Sequence, residues 1–375
     1  MLISQSQCLT RAARLVICAA VFPALLGVSA DTVEAKPFRR FGLPFSPSAT
    51  FRGHTGGAFY VIDSGRVRQY NEAGSMRGDW SPGERQEFIC SPKGLFHVVA
   101  DSAGDSEGGR EYTFYNVLRR PLHRSALPQG GQLYLGDLGR YVTVEPGAGS
   151  GVDIFMYDSL GQRTGSAHAP SCDSVVFAPG GRGLLIHSPG KGLYHFYFSG
   201  GKVATYPPAE LFAFSLSGRR VATFQMGILT LHFADTTVGS FRVSAGSARR
   251  IIYDDSRGVV NVLTATRLLR VRATDGRELL NYPVIGEGRR FTDMEYSPES
   301  DLFALSILVS LGSTAPQEQR ALQNAVRVIT PEGDGEPFYY VSVKSYREGF
   351  PRIQMGSNGL SALFICADRV ERISW

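Results

Sequence analysis

Residues 173–206 read DSVVFAPGGRGLLIHSPGKGLYHFYFSGGKVATY, and this stretch decides the fold. Four short runs rich in branched and aromatic residues are separated by turns that contain glycine, which tolerates the positive φ of a tight hairpin. Within the run 193–198 both alternating faces carry large apolar rings, for example Phe196 and Tyr197. A strand that is apolar on both faces indicates a sheet held between two other sheets.

The same pattern recurs along the chain at intervals of about 40 residues, a repeat length typical of propeller blades. The turns that mark the repeats start at Ser91, Gly136, Ala178, Ser215, Asp255, Ser297 and Gly356. The last interval is longer because residues 311–324 form an insertion, and residues 49–63 fit the plan less well as a further unit. We therefore predict an all-β fold, a β-propeller of four-stranded blades over residues 48–375, with eight blades favoured and seven as the alternative.

The final unit predicts how the ring closes. It has strands at 352–355, 361–367 and 370–375 and then stops without an outermost strand. A sheet edge left open in this way is a site for unwanted pairing. The N-terminal segment 31–47 contains an apolar stretch, residues 36–45, that can supply the missing strand. We expect the chain's own beginning to close the ring.

The repeats also resemble a known group of proteins. Turns such as CSPKG (90–94) and FSLSG (214–218), followed by hairpins such as YDSLGQ (157–162), resemble extracytoplasmic propellers of the WD40-like and YVTN type. TDGRELLNY, at 274–282, is similar to the turn of quinoprotein-like repeats. The resemblance implies the fold and not an activity. Beyond the N-terminal segment the only tryptophans are Trp80 and Trp375, so the regular indole docking of a quinoprotein blade is absent.

Residues 1–30 predict export. Arg11 and Arg14 precede an apolar run over 15–28, and no acid occurs before Asp31. This is the layout of a secretory signal peptide, with cleavage expected after Ala30 or Ala35. An uncleaved membrane anchor is the alternative, although the apolar run is short for a membrane span. We expect a periplasmic or secreted protein with no transmembrane span after cleavage.

Composition and charge exclude several classes of protein. With 43% hydrophobic and 19% charged residues the chain carries enough apolar material for a folded core. The net charge of +5 comes from scattered basic residues rather than a stripe with interleaved aromatic residues, so no nucleic-acid partner is predicted. No G-x-S-x-G, H-E-x-x-H or phosphate-binding glycine motif occurs, and no catalytic residue is assigned.

Four acids near the starts of innermost strands are the candidate metal ligands: Glu87, Asp173, Glu210 and Asp293. On a ring these carboxylates could converge at the channel mouth and hold a divalent cation such as calcium through oxygen ligands. Calcium-loop spacing is missing, however, and the acids are offset between blades. The sequence therefore predicts no cofactor, with a calcium-type cation as the alternative.

The longest connections, residues 101–110, 145–151 and 311–324, fall on one face of the predicted ring. Long loops on a rigid scaffold are common binding elements. Within the last of them, residues 317–325 have helix-forming composition after Pro316, which predicts a short helix. The residues expected to form the interaction face are Asp105, Glu107, Arg110, Arg289, Arg290, Gln317, Glu318 and Arg320.

The leading function is that of an exported, monomeric interaction or scaffold module that binds an envelope or secreted protein through this loop-rich face. The alternative is a channel-mouth ligand or metal binder with hydrolase- or lactonase-type activity.

Overall fold

A computed structural model describes residues 42–44, 50–53, 59–71, 74–81, 86–92, 94–101, 109–284, 286, 288–309, 322–335, 339–343, 350–356 and 359–374. The chain divides into two compact units. The larger, Arg39–Ile373, contains the propeller. Of the smaller, Met1–Phe38 with Ser374–Trp375, only Ser374 is described, as the last residue of a strand.

The described strands form eight four-stranded antiparallel sheets, the blades. The first strand, β1 (Gly42–Pro44), belongs to the last blade. Blade 1 contains β2 (Thr50–Gly53), β3 (Phe59–Asp63), β4 (Arg66–Tyr70) and β5 (Met76–Trp80). Blade 2 contains β6 (Gln86–Cys90), β7 (Phe96–Asp101), β8 (Arg110–Asn116) and β9 (Pro121–Leu127). Blade 3 contains β10 (Gln132–Leu135), β11 (Tyr141–Pro146), β12 (Val152–Tyr157) and β13 (Arg163–Ala169). Blade 4 contains β14 (Ser174–Phe177), the 3-10 turn Pro179–Gly181, β15 (Gly183–Ser188), β16 (Gly192–Tyr197) and β17 (Lys202–Tyr206).

The second half of the chain follows the same plan. Blade 5 contains β18 (Leu211–Phe214), β19 (Arg220–Gln225), β20 (Ile228–Phe233) and β21 (Thr236–Arg242). Blade 6 contains β22 (Ala248–Asp254), β23 (Val259–Thr264), β24 (Arg267–Arg272) and β25 (Glu278–Pro283). Blade 7 contains β26 (Arg289–Ser297), β27 (Leu302–Val309), β28 (Leu322–Ile329) and β29 (Tyr339–Val343). Blade 8 contains β30 (Arg352–Met355), β31 (Ser361–Ile365), β32 (Arg369–Ser374) and, as its outermost strand, β1. The prediction of eight four-stranded blades is confirmed.

Blade 8 takes its outermost strand from the start of the chain. Strand β1 pairs antiparallel with β32, and Leu43 lies opposite Val370 in the register. The predicted closing strand is thus confirmed, within residues 42–44. Side chains complete the closure, because an apolar cluster joins blade 1 to blade 8. Its buried members are Phe59, Val61, Tyr70, Leu363, Ile365 and Val370.

Each blade buries both of its faces against neighbours. Strand β23 is buried at every position. Its Val260 and Val262 belong to the core between blades 5 and 6, whereas Leu263 belongs to the core between blades 6 and 7. Apolar surface removed from water stabilises by about 25 cal/mol per Å², and here both faces of the sheet contribute. This is why the strands lack the polar face of a half-exposed sheet.

The turn between the first two strands of a blade repeats one backbone pattern. In blade 5 the Ser215 N–H donates to the Arg220 carbonyl at 2.8 Å, and the Gly218 N–H returns to the Ser215 carbonyl at 2.8 Å. Gly218 has φ +72°, and a Cβ there would lie 2.5 Å from the Pro179 carbonyl oxygen of blade 4. The same return hydrogen bond occurs in the turns that start at Ser91, Gly136, Ala178 and Gly356. The glycine therefore lets neighbouring blades approach.

These turns and the turns between third and fourth strands share one face, which we name the short-turn face. Gly139 and Ser159, from the two kinds of turn in blade 3, lie against each other. The opposite, loop-rich face carries the connections between second and third strands, including the long ones after β7, β11 and β27.

The predicted helix over 317–325 is wrong where the structure describes it. Residues 322–325 belong to β28, which lies between β27 and β29. Asn324 and Ala325 are buried there, so sheet pairing and burial override local helix propensity. Residues 317–321 lie outside the described residues. In the described part of the chain no helix is long and apolar enough to cross a membrane.

The close approach at Gly218 predicts a measurable interblade contribution. Gly218→Ala adds both a strained positive φ and a clash with backbone, and we expect it to lower the free energy of unfolding by about 2–4 kcal/mol. Gly190→Ala is the matched control: its φ is +69° but its Cβ meets open space, so about 1 kcal/mol is expected. Denaturant titration of both variants measures the difference, and equal losses would contradict a tight interblade contact.

Candidate functional site

The innermost strands are spaced unevenly around the channel. In blades 5 to 8 the first strands β18, β22, β26 and β30 lie against one another in succession. Between blades 5 and 6 the Leu216 N–H donates to the Tyr253 carbonyl at 2.8 Å. A cavity of about 700 Å³ opens among the first strands β6, β10, β14 and β30 and the turns of blades 2 to 4. The cavity is the main candidate site.

The cavity has apolar walls and a few charged groups. Leu133, Leu135, Val175, Val176 and Phe177 belong to its wall, from β10 and β14. Among the described residues of the lining, the charged ones are Asp137, Arg140 and Arg352. The Arg352 guanidinium lies 5.4 Å from the centre of the Phe350 ring, and Arg140 donates to the Gly181 carbonyl. Two guanidinium groups against one carboxylate favour an anionic or acidic occupant.

The short-turn face carries an arc of exposed large apolar side chains beside this cavity. They lie on turns, or at the strand ends beside them, in four successive blades and are between 39% and 68% exposed. We name the following residues the apolar arc: Leu118, Leu138, Leu160, Tyr197, Leu216 and Phe233. Leu138 also lines the cavity, so the arc continues into it. Several large apolar residues exposed on one face are typical of interaction surfaces.

Charge divides the same face into two parts. Exposed arginines accompany the apolar arc: Arg119, Arg120, Arg182 and Arg219. The corresponding turns of blade 7 instead carry four acids: Glu299, Asp301, Glu332 and Asp334. The turns of the arc also carry Asp137, Asp158 and Asp235, so the arc is apolar with a small basic excess. The blade 7 turns across the ring are acidic, although Asp301 is paired there with Arg257 and Arg270.

The four predicted metal ligands each have a different partner. Glu87 accepts from the Arg110 guanidinium at 2.9 Å, and Asp173 lies 3.4 Å from Nδ1 of His187. Glu210 accepts from the Met226 N–H at 3.2 Å. Among the described residues, no group of three or more His, Cys, Asp or Glu side chains is placed to hold a metal ion. We derive no metal chemistry from these acids.

Asp293, the fourth of these acids, belongs to an ion-pair network across three blades. Arg250 of β22 donates to Asp293 and, at 2.5 Å, to Glu295 of β26. Asp293 also accepts from the Ile353 N–H of β30 at 3.3 Å. Burial opposes the charge of the guanidinium, but Glu295 and Asp293 together raise the pKa of Arg250 above its ordinary value. The network holds the first strands of blades 6, 7 and 8 together.

Three of the eight predicted interaction-face residues are described. Arg110 starts β8, and Arg289 and Arg290 start β26, so all three lie at strand ends on the loop-rich face. The Arg289 guanidinium lies 5.6 Å from the centre of the Tyr340 ring. Asp105, Glu107, Gln317, Glu318 and Arg320 lie outside the described residues. The loop-rich interaction face stays a prediction.

Three of the strand histidines, His97, His195 and His232, are buried in the core, whereas His168 of β13 is exposed. His97 is buried among Tyr60, Trp80, Phe88 and Tyr115, and burial lowers its pKa to about 4.

His195 shows the same effect in blade 4. Burial lowers its pKa to about 4, and its Nδ1 lies 3.0 Å from the Tyr206 hydroxyl. That hydroxyl donates to the Ala234 carbonyl, so Nδ1 carries the proton that it shares with Tyr206. A neutral, hydrogen-bonded imidazole in this position is structural rather than catalytic.

The sequence analysis did not identify the apolar arc. The sequence does contain a pattern that indicates the arc, because leucine occupies the turns GDLGR (136–140), DSLGQ (158–162) and SLSGR (215–219). A leucine in a turn has no apolar partner within its own hairpin, and this placement is the clue to an exposed patch.

Comparison with known proteins supports the fold. No family model matches the chain, and no curated protein matches it. Among solved structures, the C-terminal WD40 domain of Sif2 is similar with a TM-score of 0.59 and 10% identity, covering 90% of this chain and 98% of that one. A eukaryotic initiation factor structure is similar at a TM-score of 0.49 and 11% identity, covering 78% of this chain and 87% of that one. The predicted WD40-like β-propeller resemblance is confirmed at the level of fold.

The buried histidines predict acid sensitivity. The folded-state pKa values of His97 and His195, about 4, lie below the ordinary value of 6.5, so the unfolded chain takes up protons first as the pH falls through that window. Stability is therefore present above about pH 6.5 and is lost toward pH 4, by about 2 kcal/mol per histidine between pH 7 and pH 5. Denaturant titrations at both pH values measure this loss.

His97→Gln should reduce the loss of stability between the two pH values by about 2 kcal/mol, the share assigned to that histidine. An identical pH dependence in His97→Gln and the unaltered protein would contradict the assignment.

Proposed function

We propose that the protein is an exported scaffold that binds another protein through the short-turn face. The observation that carries the proposal is the apolar arc, six large side chains exposed on turns and adjoining strand ends of four successive blades beside the channel cavity. The fold alone assigns no partner, because the same architecture hosts many functions. The chemistry of the exposed surface must therefore identify the partner.

Covering the arc is favourable for physical reasons. Exposed leucine, tyrosine and phenylalanine gain about 25 cal/mol for each Å² removed from water. The turns that carry them are fixed by backbone hydrogen bonds; in blade 3 the Gly161 N–H donates to the Asp158 carbonyl at 3.2 Å. Side chains on rigid turns lose little conformational freedom on binding, which lowers the cost of association.

Charge specifies the partner's surface. Tyrosine and arginine are enriched in binding hot spots, and the arc combines Tyr197 with the exposed Arg119, Arg182 and Arg219. The complementary surface is an apolar patch bordered by carboxylates. On blade 7 the exposed Glu299, Glu332 and Asp334 lie on the same face and would repel such a border, so the partner is oriented toward blades 2 to 5.

The compartment is the second part of the proposal. The basic start, the apolar run over 15–28 and the small residues before Asp31 support export, and the partner is then an envelope or secreted protein. The loop-rich face remains the alternative docking surface.

The mass of the purified protein tests export. Produced in its native cell, the chain should begin after Ala30 or after Ala35, because a signal peptidase cuts after small residues. Intact-mass measurement with N-terminal sequencing distinguishes the two sites. A chain that retains residues 1–30 and fractionates with the cytoplasm would contradict export, whereas retention in the membrane fraction would favour the anchor.

Site-specific photocrosslinking in the producing cells tests the interface. The photoreactive residue benzoylphenylalanine is placed singly at Leu118, Leu160 and Phe233 of the arc. The control positions are on the loop-rich face: Met226, which is exposed, and Arg289, which is half-buried. We expect one common protein adduct from the three arc positions. Adducts formed only from the two control positions would move the interface to the loop-rich face and overturn the proposal.

The contribution of the arc to binding is then measured as the affinity of the protein and its variants for the purified partner found by crosslinking. Leu160→Glu places a charge in the apolar contact and should weaken binding about tenfold or more. Leu279→Glu, at an exposed leucine in the outermost strand of blade 6, is the control and should leave the affinity unchanged.

A further inference from the structure

The cavity presents free strand edges. In their sheets β6, β10, β14 and β30 each occupy the terminal position and pair on one side only. The cavity wall includes consecutive residues, 133–138 in blade 3 and 175–181 in blade 4. Successive side chains of a strand point to opposite faces, so a wall made of consecutive residues is formed by the strand's edge. An edge offers backbone N–H and C=O groups to an occupant.

Free edges select the chemistry of that occupant. An extended polypeptide is the ligand whose own N–H and C=O groups repeat at the spacing of a strand edge. A volume of about 700 Å³ lies within the range of sites that enclose a short peptide or a drug-sized molecule.

The lining side chains refine the choice. Leu135, Val175 and Phe177 favour apolar side chains. Arg352 and Arg140 outnumber Asp137, which favours a carboxylate among them. Arg352 comes from blade 8 and therefore lies across the channel from the turns of blades 3 and 4.

The cavity is continuous with the apolar arc at Leu138, and exposed Pro92 and Pro179 border it on the same face. A protein seated on the arc therefore has a terminus or loop within reach of the channel. We infer that the channel cavity holds an extended segment of the partner, apolar with at least one acidic residue, paired through its backbone with the free edge of β10 or β14. This inference rests on the proposed function and names the part of the partner that is recognised.

A random decapeptide phage library, selected on the full chain, provides the probe. Recovered peptides should combine apolar residues with aspartate or glutamate. Each is resynthesised with N-methyl groups on alternate backbone nitrogens, which removes donors without changing side chains. We expect one of the two alternating methylation patterns to weaken binding about tenfold or more, since only one set of N–H groups faces the strand edge.

Variants of the protein locate the peptide. Arg352→Glu should weaken binding of acidic peptides about tenfold, and Arg352→Lys should retain most of it. Pro92→Trp with Leu138→Trp narrows the mouth from two exposed positions and should block binding. Leu279→Glu lies outside both the arc and the cavity lining and should leave peptide affinity unchanged. Circular dichroism and thermal unfolding confirm that each variant is folded.

The outcomes separate this inference from the proposed function. No recovered peptide, or peptides insensitive to both N-methylation patterns and to Arg352→Glu, would overturn the inference. If Leu160→Glu abolishes binding of the crosslinked partner while the cavity variants leave it intact, the interface stands and the threaded segment is excluded. If partner adducts form only on the loop-rich face while peptides still occupy the cavity, the interface fails and the cavity site remains.

Discussion

The structure depends on one constraint: every sheet has two apolar faces, and both must be covered. A row of such sheets would leave one bare face at each end, and only a closed ring removes both. Phe59 and Tyr70 of blade 1 therefore meet Leu363 and Val370 of blade 8 in a single core. The three-residue β1 covers the edge of β32 at the same place. Closure is thus achieved twice, by side-chain burial and by backbone pairing.

Ring closure explains which parts of the fold could be read from the sequence. Turn spacing and two-sided hydrophobicity are local signals, and they placed the last strands within one or two residues of β30 (Arg352–Met355), β31 (Ser361–Ile365) and β32 (Arg369–Ser374). The missing outer strand was also readable, because a three-stranded final unit requires a partner. Residues 322–325 were misread as helix because their composition is helical while their burial in β28 is a tertiary property.

The site was harder to predict because it depends on where each side chain points and not only on which residue type stands at a position. Asp293 lies near the start of an innermost strand as expected, yet its carboxylate meets Arg250 and the Ile353 N–H of neighbouring blades. Sheet twist decides whether such a side chain points along the channel or between blades, and twist is not encoded at one position. The apolar arc was missed for a related reason: exposure of a leucine in a turn depends on whether the adjacent blade covers it.

The uneven channel follows from what lies between the blades. Large rings separate blades 1, 2 and 3, where Tyr60 meets Phe88 at 5.0 Å and Phe114 meets Tyr141 at 4.3 Å between ring centres. Between blades 5 and 6 the core includes several alanines, and a backbone hydrogen bond links the two blades. Rings also lie between blades 6 and 7, where Tyr282 meets Phe291 at 6.4 Å, but there Arg250 links the first strands through Asp293 and Glu295. The first strands of blades 5 to 7 are thus joined by polar links, and the cavity opens on the other side of the ring, where the apolar arc also lies. Since the packing that closes the ring also sets the spacing of the first strands, the candidate site is a consequence of the core itself.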